Sequence, residues 1–153
     1  MTLMSILVLS GCDRYIKQTV RLQSTLELRG ATAGSLSEVE IDDALNIVRA
    51  VALERNFYSV PVPETLKSMH ARAVFDTNSD ITTPRGKWLY FVVQVPPDKR
   101  TLDVVFHQFP NLSPTPEMRA VEEQLQQKLG ERFGRNRIQL CLAAKDCGPD
   151  LAF

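Results

Sequence analysis

Three cysteines, two histidines and a few clustered charges are the residues of this chain best suited to chemistry. His107 lies in an apolar, alternating stretch. Asp103 is four residues earlier on the same parity, and along an extended strand that spacing is too long for direct contact. His70 follows Met69. Neither histidine has a Cys, Asp or Glu at metal-ligand spacing, and no His-Glu-x-x-His, Gly-x-Ser-x-Gly or Ser-x-x-Lys pattern occurs. The reading is therefore no metal, no cofactor and no assigned catalytic residue. Glu38, Glu40, Asp42 and Asp43 open a helix, where acidic side chains offset the positive dipole end. Glu122 and Glu123 form a second acidic pair, to which no acid–base role is assigned. Lys128, Arg132, Arg135 and Arg137 cluster at the far end of another helix. The dipole explains much of that cluster, and contact with a ligand or with anionic lipid headgroups is its functional reading.

The cysteines are more informative. Cys12 closes an apolar run, Leu3 to Leu9, through Ser10 and Gly11. That run is too short for a bilayer span, which needs about 20 apolar residues. An apolar segment followed by small residues is the form of a secretory signal. Leu9-Ser10-Gly11-Cys12 resembles the lipobox of bacterial lipoproteins. The resemblance covers the first 12 residues. It implies cleavage before Cys12, a diacylglycerol on its sulfur, and membrane attachment in the cell envelope. Asp13, directly after the Cys, resembles the sorting residue that retains such proteins at the inner membrane, so the periplasmic face of that membrane is expected. Met1 and Thr2 supply no basic residue, which departs from the usual signal and is what a start upstream of Met1 would explain.

An odd cysteine count in an exported chain calls for an account. Lipidation of Cys12 leaves Cys141 and Cys147, an even pair in an oxidising compartment. A strand ending near Ala143 and turning at Lys145-Asp146 brings them together, so a disulfide is expected.

The bulk numbers suit one folded domain. The chain has 153 residues, 44% hydrophobic and 24% charged, with 18 basic and 18 acidic residues. A net charge of zero supplies no global field toward nucleic acid, and none is expected as a partner. The expected division is a signal over 1–11, a lipid-anchored tether over 12–18, one α+β domain over 19–147 and a tail over 148–153.

Within that domain, Val20, Leu22, Leu26 and Leu28 alternate with polar residues and suggest a strand. Ser37 with Glu40 makes a capping box ahead of Ile41, Ala44, Leu45, Val48, Val51 and Ala52, so a helix is expected from Glu38 to about Asn56. Strands follow over 71–76, 87–95 and 101–109, the last two as a hairpin around Pro96 and Pro97. A second helix starts at Pro116 behind Thr115 and stops at Gly134. Ile138, Leu140 and Leu142 make a final strand. The order predicts two helices on one face of a mainly antiparallel sheet of four to five strands, a two-layer sandwich in which a ferredoxin-like arrangement fits.

Two functions compete on this basis. One is a non-catalytic envelope module that binds another protein. The other is an envelope enzyme or small-ligand carrier, which requires a pocket around His107, Asp103 and Trp88.

Overall fold

The computed structural model describes residues 16–24, 34–77, 88–109 and 113–147. The expectations for Cys12, Asp13, Leu26 and Leu28 concern residues outside these ranges.

Six strands form one antiparallel sheet: β1 (Ile16–Gln23), β2 (Tyr58–Val60), β3 (Ala71–Asp76), β4 (Trp88–Gln94), β5 (Thr101–Phe109) and β6 (Ile138–Cys141). Among the described residues three α-helices accompany it: α1 (Glu38–Glu54), the single-turn α2 (Glu64–Lys67) and α3 (Pro116–Phe133). The strand order is β2-β3-β4-β5-β1-β6. The class is α+β as expected, with one strand more than the four to five foreseen. The added element is β2, three residues long and followed by Pro61 and Pro63. A segment so short shows no alternation to read. β1, α1, β4, β5, α3 and β6 follow the ferredoxin-like order, and the β2–β3 hairpin extends the sheet beyond β4. β1 begins at Ile16, inside the stretch read as tether, because Ile16 to Gln18 pair with Gln108 to Phe106 of β5. β6 ends at Cys141, one residue before Leu142.

Local signals set the helix ends. Ser37 Oγ accepts from the Glu40 amide at 3.1 Å, and Glu40 Oε2 accepts from the Ser37 amide at 3.0 Å. This satisfies two groups that a helix start otherwise leaves open. Thr115 Oγ1 accepts from the Met118 amide at 3.2 Å, with Pro116 in the first turn. Gly134 stops α3 at φ +99°, where a side chain is strained and a Cβ would come within 2.9 Å of Asn136 Oδ1.

α1 and α3 cover one sheet face. Ile41, Ala44 and Val48 from α1, and Met118, Val121, Leu125 and Leu129 from α3, meet Val20, Leu22, Phe91, Val104 and Phe106. Phe91 is fully buried at the centre of this layer. Its ring lies 5.0 Å from Phe57, 5.2 Å from Phe75 and 5.0 Å from Phe106. Such aromatic pairs contribute beyond the apolar area they bury. On the opposite face, Val60, Val74 and Val92 form a smaller cluster with Val62, Leu66 and Ala71. That face also carries polar side chains.

Candidate functional site

The domain carries two polar constellations, one on each side of the sheet. The first lies opposite the helices, on β1, β4 and β5. The register sets Arg21 directly across from Asp103. Arg21 Nε donates to Asp103 Oδ1 at 2.7 Å and Nη2 to Oδ2 at 2.9 Å. The pair is buried, the side chains being 13% and 4% exposed. A fork of this kind matches guanidinium to carboxylate geometry. Arg21 Nη1 also donates to the backbone carbonyl of Cys147. His107 is paired in register with Tyr90 on one side and Lys17 on the other. The Tyr90 and His107 rings stack with centroids 4.8 Å apart and planes 14° from parallel. Burial, aided by the Lys17 charge, pushes the His107 imidazole down to about 4. It is therefore neutral at physiological pH. Gln94, opposite Asp103, donates to the Met69 carbonyl at 3.0 Å.

The sheet thus gives His107 and Asp103 separate cross-strand partners and does not join them as a dyad. Trp88 opens β4 across from Phe109; its side chain is not among the described ones. His70 sits in an exposed turn at φ +65°, where its carbonyl accepts from the Val95 amide.

The C-terminal cysteines close over this same face. Cys141 and Cys147 have Cα atoms 5.6 Å apart and are at disulfide distance. The intervening turn is held from several sides. Asp146 Oδ2 accepts from the Ala143 amide at 3.0 Å, and Gln139 Nε2 donates to the Asp146 carbonyl at 2.9 Å. Closing so short a loop stabilises by about 2 kcal/mol. Cys147→Ser is expected to lower the unfolding free energy read from urea denaturation by that amount, and with it the midpoint, under oxidising conditions and to be neutral under reducing ones. An unchanged midpoint in both would show that the cysteines are not bonded.

The second constellation lies on the helix side, in the groove between α3 and β6. Glu122 is 3% exposed and Gln18 7%. With the Gln18 amide turned so that its nitrogen faces the carboxyl, it donates to the two Glu122 oxygens at 2.7 and 3.1 Å. Burial raises the Glu122 carboxyl to about 7; Glu123 adds to this and Arg119 opposes it. A cleft of about 340 Å³ opens beside these residues, walled by Pro114, Leu140 and Leu142. A second of about 290 Å³, shared through Gln126, continues along Ile138 to Arg135. A carboxyl titrating near neutrality is suited to proton exchange or to pH-sensitive binding.

Glu122 was not singled out from the sequence for any role. Its spacing held a signal, since it is four residues after Met118 and three before Leu125, on the apolar stripe of α3.

The basic cluster is divided. Arg132 Nη2 donates to Asp43 at 2.6 Å, and Arg137 donates to Glu40 at 3.0 Å and to the Gln23 carbonyl at 2.9 Å. Both guanidiniums lie over the Phe133 ring, 4.9 and 5.5 Å from its centre. They tie α1 and β1 to the end of α3. Arg135 lines the groove and Lys128 is exposed. Among the described residues, no group of three or more His, Cys, Asp or Glu side chains is placed to hold a metal, and no helix is long and apolar enough to cross a membrane.

Comparison with family models, with curated proteins and with solved structures returns no match to this chain.

Proposed function

We propose that this chain is a lipid-anchored protein of the bacterial cell envelope whose α+β domain binds another envelope protein. The observation that supports this reading is the way its three cysteines divide. Cys12 ends a lipobox-like Leu9-Ser10-Gly11-Cys12, and the remaining two lie at disulfide distance. A reducing cytosol keeps such a pair as thiols, whereas an oxidising compartment lets it staple the chain. Several acyl chains at Cys12, at about 0.8 kcal/mol per buried CH₂, make a stable anchor. Asp13 favours retention at the periplasmic face of the inner membrane. The domain acts without catalysis in this reading. Asp103, the carboxylate nearest His107 along β5, is bound by Arg21, so the two do not form an acid–base pair.

Metabolic labelling with radioactive palmitate tests the anchor. The wild-type chain is expected to incorporate label and to sediment with membranes, and Cys12→Ala to do neither. Equal background labelling of the two would sink the proposal.

A further inference from the structure

The two edges of the sheet differ in how they are protected. β2 is three residues long and runs into Pro61 and Pro63, which lack an amide donor. Short length and proline both discourage a further strand. β6, at the other edge, reads Ile-Gln-Leu-Cys; it is also short, at four residues, but carries no proline in the strand or in the turn to Cys147. Its helix-side residues also remain partly uncovered: Ile138 and Leu140 are half-buried, and Leu142 just beyond the strand is 59% exposed. Beside them runs the α3–β6 groove, with Glu122 and Glu123 toward one end and Arg135 toward the other. Arg119 lies at the acidic end, where carboxylates outnumber it. Glu123 and Arg135 make no ion pair among the described residues.

We propose that two copies of this chain associate edge to edge through β6, antiparallel, to form one continuous twelve-stranded sheet (twice the six of one copy) with α3 of each copy flanking the seam. A two-fold axis perpendicular to the sheet keeps the helix faces on one side and pairs residues of equal parity. A register centred on Leu140 sets that residue against its own copy. It places Leu142 against Ile138 of the second copy and so covers the exposed side chain. The same axis reverses the groove, bringing Arg135 of one copy toward Glu123 of the other, twice. This charge complementarity selects a second copy over an unrelated peptide. The zero net charge of the chain removes long-range repulsion between copies.

Sedimentation velocity on the full chain carrying Cys12→Ser, which takes no lipid, tests this separately from the anchor. The expected species has twice the 17.2 kDa chain mass. Leu140→Lys buries a charge at the seam and is expected to give monomer. Arg135→Glu and Glu123→Arg are each expected to weaken association about tenfold, equivalent to about 1.4 kcal/mol. The double reversal is expected to restore it. Both charge positions are exposed, so these variants keep their fold, which circular dichroism checks. A chain that stays monomeric at high micromolar concentration overturns the proposal. So does a dimer indifferent to Leu140→Lys, or a double reversal that fails to recover.

Discussion

Replacing Asp103 with Ala is expected to destabilise the domain by about 3 kcal/mol, within the range of about 3–5 measured when one partner of a buried ion pair is removed. The cause is what stays behind. Arg21 keeps its charge and its place under the sheet, with its side chain only 13% exposed. Arg21 keeps the Cys147 carbonyl as an acceptor, which places the effect at the lower end of that range. Total stability for a domain of this size is about 5–15 kcal/mol, so this single change removes a large share. The double variant Arg21→Met with Asp103→Leu is expected to recover most of the loss, because apolar side chains of similar volume need no partner. Urea unfolding followed by circular dichroism at neutral pH measures both. A cost below about 1 kcal/mol for Asp103→Ala, the range of exposed pairs, would show that water reaches the site.

The second large effect concerns pH and two groups whose contributions oppose each other. His107 is lowered from 6.5 to about 4. Above pH 6.5 it is neutral in both states and its full contribution is present. As pH falls toward 4, the unfolded chain binds a proton that the folded domain refuses, and stability is lost. Glu122 is raised from 4.5 to about 7. Below pH 4.5 it is protonated in both states and costs nothing. As pH rises toward 7, the unfolded chain releases a proton that the folded domain retains, and stability is again lost. Each shift corresponds to about 3 kcal/mol at about 1.36 kcal/mol per unit. For Glu122 this is a ceiling, because the Gln18 amide donating to the carboxylate favours the ionised form.

Between about pH 4.5 and 6.5 the two slopes cancel, so these groups leave the wild-type profile nearly flat there. Glu122→Gln removes one of them. The variant is expected to match wild type near pH 4.5, to exceed it by up to about 3 kcal/mol at pH 8, and to lose stability steeply below pH 6.5. Thermal or urea midpoints across this range read the difference directly. Parallel profiles for the two proteins would mean that Glu122 is not the group titrating near neutrality.

What was legible in the sequence is what short-range physics controls. The capping box at Ser37 and Glu40, the Thr115-Pro116 start and the Gly134 stop each involve neighbours within a few residues. All three set helix ends where expected. Alternation over 101–109 identified β5 and the face of Leu102, Val104 and Phe106 that joins the main core, because pleating alone puts every second residue on one side. The lipobox-like motif is local in the same sense, and nothing about it depends on the fold.

The tertiary structure decided what depends on distant partners. Asp103 lies 82 positions from Arg21, and only the β1–β5 register makes them a pair. His107 becomes a neutral, stacked ring because Tyr90 and Lys17 arrive beside it from other strands. Glu122 becomes a carboxyl raised to about 7 because packing α3 against the sheet buries it, a shift that the Gln18 amide of β1 opposes by donating to the carboxylate. Composition places such residues on a strand or a helix face. The free energy of a buried charge is set by what stands across from it, and that is known only once the sheet is assembled.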